Sequence, residues 1–198
     1  MNMKPCTLQH MLCFLCLLSF LYCLFPIDGF AGQRITVRPG DHLPNIPLNG
    51  TFCQEDRQYL GLSDQKVYSL RSIKTRFVII NCLSIYCPVC QTHAAKFNKL
   101  FALIQRDQFI SNTMKMIGIG AGNNSKEIAY FRKYHNVPFP LIPDPDFKIH
   151  KTLKETRTPL LAIIDKRSNP YKIVSILDFT KEPEALLENI RSEIHKIK

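Results

Sequence analysis

Arg76-Phe-Val-Ile-Ile-Asn81-Cys-Leu-Ser-Ile-Tyr86-Cys87-Pro88-Val89-Cys90 joins an apolar run of strand length to a turn with two cysteines, and then to a helix. Phe77 to Leu83 is almost wholly apolar and rich in β-branched residues, the pattern of a central strand covered on both faces. From Pro88 to Ile104 apolar residues recur at three- and four-residue steps, at Ala94, Phe97, Phe101 and Ile104. Gln91, Lys96, Lys99 and Arg106 are left for the polar side and the helix end. Cys87 therefore falls where the helix begins, with Pro88 in the first turn, where a missing N–H costs nothing.

That position has chemical consequences. The unpaired N–H groups and positive dipole end of a helix favour a thiolate over a thiol. The pKa of Cys87 is expected to fall from the usual value of about 8.5, which makes it nucleophilic near neutral pH. Cys90, one helical turn on, is close enough to form a disulfide with Cys87 and is expected to be the more buried. The division of labour is Cys87 as attacking thiol and Cys90 as the resolving thiol that breaks a mixed disulfide. A zinc site would need two further ligands at suitable spacing; only His93 is near, and no second C-x-x-C or H-x-x-x-H follows. Haem attachment would need His after Cys90, where Gln91 stands. No metal and no cofactor is expected.

Around these residues the chain resembles the thioredoxin-like superfamily, and within it the exported thiol:disulfide oxidoreductases related to the redoxin and alkyl-hydroperoxide-reductase group. Asn81 stands six residues before Cys87, where thioredoxins proper carry a buried acid and many envelope relatives carry Asn. Arg157-Thr158-Pro159 precedes the strand Leu160-Leu-Ala-Ile-Ile-Asp165, like the family's cis-proline loop. Tyr130 to Asp144, with Phe139-Pro140-Leu-Ile-Pro-Asp144, resembles the "FP-x-x-x-D" segment of redoxins, and Gly40-Asp41-x-x-Pro44 resembles the start of their domain. The resemblance spans about residues 41–197. It implies an α/β, thioredoxin-like fold, a central mixed β-sheet flanked by helices, with an N-terminal extension. It also implies that Thr158 and Pro159 present a substrate's cysteine segment to the pair, and that Asn81 sets the environment beneath it. Where the family usually has Trp before the first cysteine this chain has Tyr86, whose ring is expected to serve as an amphipathic contact for substrate.

Residues 1–31 read as an export signal: Lys4 gives a basic start, Met11 to Ile27 an apolar run, and Gly29-Phe30-Ala31 small residues for cleavage. The run is about 17 residues, so an uncleaved membrane anchor is the alternative. Residues 32–198 form the domain, which is expected to face a periplasmic or other envelope compartment. The net charge of +10 survives loss of the segment, which holds Lys4 and Asp28. With no basic helix and no aromatic platform motif, nucleic acid is not an expected partner. The mature chain keeps Cys53, Cys82, Cys87 and Cys90. Helix geometry favours Cys87–Cys90 among the three pairings, with Cys82 as a strand filler and a Cys53–Cys82 bond as an alternative.

Along the rest of the chain, residues 34–47 read as an extended lead-in, with strand candidates at Gly50 to Cys53 and Lys66 to Leu70. Thr113 to Gly120 reads as a second core strand. Its Gly118-x-Gly120-x-Gly122 lacks the remainder of a dinucleotide fingerprint. Asn124 and Glu127 have capping-box spacing for a helix to about Tyr134. Pro138 to Pro145 reads as a loop, Leu160–Asp165 and Lys172–Leu177 as a hairpin, and a helix starts near Pro183.

Three functions compete on these residues. The first is exchange of dithiol for disulfide with protein thiols, supported by an electron donor or acceptor in the membrane. The second is a thiol peroxidase: Ser84-x-x-Cys87 matches part of the peroxiredoxin motif, whereas Ile80 and Pro159 fill its proline and arginine positions. The third is a Cu(I) carrier holding metal with Cys87, Cys90 and a histidine.

Overall fold

The computed structural model describes residues 36–63, 67–154 and 157–197. The expected export segment, 1–31, lies outside them. The described elements all belong to one unit, Ile35–Lys198. They run β1 (His42–Leu43), α1 (Gln54–Leu60), a 3-10 turn (Leu70–Ser72), β2 (Phe77–Leu83), α2 (Pro88–Arg106), α3 (Gln108–Thr113) and β3 (Met114–Ala121). Then come α4 (Ser125–Tyr134), β4 (Leu141–Asp144), α5 (Lys148–Thr152), β5 (Leu160–Asp165), β6 (Tyr171–Leu177) and α6 (Pro183–Lys196).

Six strands form one mixed sheet in the order β1-β6-β5-β2-β3-β4. β2 is parallel to β3 and antiparallel to β5, and all seven of its residues are buried. Alternation along β2 explains this. Phe77, Ile79 and Leu83 pack with Ala94, Phe97, Leu100 and Ile104 of α2 and with Leu186, Ile190 and Ile194 of α6. Val78, Ile80 and Cys82 enter the opposite cluster with Leu43, Leu60, Leu70 and Ile149. Each fully buried aliphatic or Phe side chain contributes roughly 1.5–3 kcal/mol, so the double-sided burial of β2 anchors the sheet. The central mixed sheet flanked by helices is the one implied by the resemblance.

The structure corrects the reading of two regions. Residues 138–145 hold β4, which pairs through Leu141–Asp144 with Gly118–Ala121. Pro143 is tolerated because β4 is an edge strand with a partner on one side only. Gly50 to Cys53 forms no strand; Cys53 instead caps α1, its sulfur accepting from the Asp56 N–H at 3.5 Å. Of the 66–70 candidate, the described part gives one bridge, Ser69 to Pro47.

The missed helix α1 covers a gap in the sheet. β4 begins opposite Gly118, so the outward N–H of Met116 has no strand partner there; it donates to the Tyr59 hydroxyl at 2.7 Å. Asp56, on the same helix, is buried and takes the Arg132 guanidinium of α4 in a two-pronged pair, both distances 2.7 Å. Replacing Asp56 by Ala leaves that half-covered cation without its carboxylate. A loss of about 2–3 kcal/mol in urea unfolding is expected. Removing the exposed Glu184 that pairs with Lys99 is expected to leave the urea-unfolding midpoint essentially unchanged.

Candidate active site

Strand direction builds the site. β2 ends at Leu83 and β5 starts at Leu160 directly opposite Cys82, so the turn after β2 and the loop before β5 emerge side by side. The first carries Cys87 and the second carries Thr158-Pro159, whose peptide bond is cis. The Cys87 thiol donates to the Thr158 carbonyl at 3.4 Å.

The cysteine turn is held on every side. Ile85 N–H donates to Asn123 Oδ1 at 3.0 Å, and the Ile85 carbonyl accepts from Gln91 Nε2 at 2.6 Å. Cys87 N–H donates to the Ser84 carbonyl at 3.1 Å. Cys87 is the N-cap of α2, with Pro88 in the first turn, and its sulfur accepts from the Cys90 N–H at 3.3 Å. A residue in this capping role satisfies one of the helix's orphan donors, here with sulfur as acceptor.

The two thiols have opposite electrostatics. Burial works against ionisation of Cys87, but it is outweighed by hydrogen bonds from the side chains of Cys90 and Thr158 and from the N–H groups of Cys90 and Val89. The net effect sets its pKa below the ordinary cysteine value. Cys90 is 1 % exposed, and burial followed by its bond to Cys87 pushes its pKa up to about 12. Both are free thiols here, as are exposed Cys53 and buried Cys82. Burial also raises the pKa of Cys82.

The remaining predicted residues surround this pair unequally. Tyr86 is 68 % exposed, next to half-exposed Val89, and its hydroxyl donates to Glu127 Oε1. The other Glu127 oxygen, Oε2, accepts from the Asn124 N–H at 2.8 Å, closing the capping box of α4. Asn81 lies on the β2 face shared with Phe77, Ile79 and Leu83, the face that packs under Cys90 and α2. It is fully buried, and neither side-chain amide atom has a hydrogen-bond partner. His93 bonds the Val89 carbonyl of its own helix. Among the described residues no three His, Cys, Asp or Glu side chains gather as a metal site.

Asn123 and Gln91 were not singled out from the sequence, although both position the turn. A signal was present for Asn123: it follows the glycine-rich end of β3, where Gly120 has no room for a Cβ, which would meet Ile128 Cδ1 at 2.1 Å. The close approach there is of the Ile128 side chain to the β3 backbone.

Residues 39–173 match the AhpC/TSA family. The chain belongs to the AhpC/TSA family. No functionally curated protein matches it in sequence. Among solved structures it is similar to a candidate protein disulfide isomerase from Bacteroides thetaiotaomicron, at 22% identity and TM-score 0.58, over 81% of this chain and 89% of that one. It is similar also to a DsbF homologue from Corynebacterium diphtheriae, at 19% identity and TM-score 0.55, over 85% and 98% of the two chains. A third is peroxidoxin BcpB from Mycobacterium tuberculosis, at 15% identity and TM-score 0.53, over 82% and 99%. These likenesses show the thioredoxin-like fold, and membership of the AhpC/TSA family makes the chain a redoxin-type oxidoreductase.

In the full-length protein, the rate of iodoacetamide alkylation at Cys87 is expected to reach half its plateau below about pH 8.5. Cys90, examined in a Cys87→Ala variant, is expected to stay unmodified throughout that range. An alkylation midpoint for Cys87 above that of a free cysteine would contradict the geometry.

Proposed function

We propose that the protein exchanges dithiol for disulfide with cysteines of other proteins, through Cys87 and Cys90, in an exported, periplasmic or envelope setting. The opposed state of two thiols one helical turn apart carries this reading: Cys87 is favoured as thiolate at an open helix end, and Cys90 is kept protonated below it. The likeness to a DsbF homologue and to a candidate disulfide isomerase supports it.

In the reducing direction the Cys87 thiolate attacks one sulfur of a substrate disulfide. The S–S bond breaks, a mixed disulfide forms, and the departing sulfur takes a proton. Cys90 then gives up its proton and attacks Cys87 Sγ, which closes the Cys87–Cys90 disulfide and expels the second substrate thiolate. Two electrons have passed from the pair to the substrate, and the reverse sequence makes a disulfide. Thr158 and Pro159 flank the attacking sulfur, so the Thr158 backbone is the place for a substrate strand to pair. Tyr86 and Val89 offer exposed apolar surface beside it. Asn81 puts a polar side chain beneath the pair, where the resolving thiol must lose its proton.

Residues 1–31 supply the export reading, and among the described residues no helix is long and apolar enough to cross a membrane. A membrane electron donor would serve a reductant, and a membrane acceptor an oxidant. Family membership and the likeness to a peroxidoxin favour one second reading, in which the Cys87 thiolate takes an oxygen from a peroxide and Cys90 resolves the sulfenate.

Cys90→Ala is expected to accumulate a mixed disulfide between Cys87 and protein substrates, visible on non-reducing gels and lost in Cys87→Ala. The potential of the wild-type couple gives the direction: near about −270 mV for a reductase, near about −120 mV for an oxidant. Rapid peroxide consumption with no protein adduct would give the second reading instead. Asn81→Leu removes two unpaired buried polar atoms, so stability is expected to rise by about 1 kcal/mol or more in urea unfolding. The same change is expected to slow resolution by Cys90, seen as a longer-lived mixed disulfide.

A further inference from the structure

The segment before β2 and the turn after β5 meet at the end of the sheet remote from Cys87. Phe77, the first residue of β2, lies opposite Asp165, the last of β5. A depression of about 430 Å3 opens there. Five of its eight lining residues are cationic, Arg71, Lys74, Arg76, Lys166 and Arg167, and none is acidic. Five like charges around one concavity repel unless counter-charge is supplied.

Among the described residues the counter-charge comes from Asp165, and the neutral Ile197 carbonyl takes Arg76 Nη2 at 2.7 Å and Arg167 Nη2 at 3.2 Å. Asp165, buried behind the wall, pairs with Arg167 at 2.8 Å and lies 3.6 Å from Arg76. Lys166 is half-buried, and its Nζ donates to the carbonyls of Leu70, at 2.8 Å, and Ile73. Those acceptors are neutral, and burial brings the Lys166 pKa down to about 8. Arg71 and Lys74 are exposed and form no ion pair among the described residues. The same wall holds two buried polar groups without a hydrogen-bond partner, the Thr75 hydroxyl and Arg76 Nε. Surplus cationic charge on Arg71, Lys74 and Lys166, with unmet donors in the wall, matches an anion with several oxygens and more than one charge.

The geometry points to a binding site for a phosphate group at this pole, with Arg71 and Lys74 on its rim and Lys166 in its wall. The group is either free phosphate or the headgroup of an anionic phospholipid. Because the cysteines sit at the other end of the sheet, an occupied site leaves Cys87 open to its substrate.

The test uses the full-length protein with two probes. Inorganic phosphate is titrated at constant ionic strength against chloride, while NMR follows the residues of the depression. Separately, co-sedimentation with phosphatidylglycerol–phosphatidylcholine vesicles is compared with that on phosphatidylcholine vesicles. Arg71→Ala/Lys74→Ala is the site variant. Lys126→Ala/Lys133→Ala, on exposed positions of α4, removes the same charge elsewhere. Alkylation of Cys87, expected to be unchanged in both, reports an intact fold. Saturable phosphate shifts confined to the depression, weakened about tenfold in the site variant and unchanged in the control, establish the site with free phosphate as ligand. Binding to the anionic vesicles alone, lost in the site variant and kept in the control, establishes it with the lipid headgroup as ligand. If neither probe binds, or if both variants weaken binding equally, the depression is a solvated basic face and the proposal is overturned.

Discussion

The bond from the Cys87 thiol to the Thr158 carbonyl depends on a register set deep in the sheet. Leu160 stands opposite Cys82 because β5 runs antiparallel to β2, and both strands are buried along their whole length. A slip of one residue would turn every β2 side chain to the opposite face, exchanging Phe77, Ile79 and Leu83 for Val78, Ile80 and Cys82. The apolar burial that forbids that slip therefore also fixes where the loop meets the thiol. The geometry at the ends of the two central strands is held in place by the packing along them.

The contrast between the two cysteines has an equally local origin. Both lie within the first turn of α2, but Cys87 is the cap, at the open end where donors converge on its sulfur. Cys90 has already turned inward to join the cluster of Phe97, Leu100 and Leu83. One turn of helix thus takes a side chain from a setting that favours charge to one that opposes it. Asn81, fully buried below with no partner for either amide atom, is the exception to an otherwise apolar floor. Buried unpaired groups of this kind are uncommon and cost stability.

The parts legible in the sequence were those whose signal is periodic or chemically specific. The run Phe77–Leu83, the stripe of α2, the stripe of α6 and the Asn124–Glu127 box each mark one element by a repeating or paired pattern. Helix α1 was not legible because only Asp56 and Leu60 of its seven residues are buried, which leaves no apolar stripe. β4 was hidden by the prolines around it, since Pro143 argues against a central strand and does not exclude an edge one. At the site, the cysteines and Thr158-Pro159 announce themselves by type and order. The Asn123 bond to Ile85 does not, because it joins residues 38 apart through a side chain common in turns.

The Glu127 carboxylate divides its work between its two oxygens. Oε1 receives the Tyr86 hydroxyl, and Oε2 receives the Asn124 N–H that begins α4. A partner that displaces the Tyr86 phenol therefore breaks one solvent-exposed bond and leaves the helix start closed. The Tyr86 bond and the α4 cap thus share one carboxylate without sharing an oxygen, so losing the first would leave the second, and the helix behind it, in place.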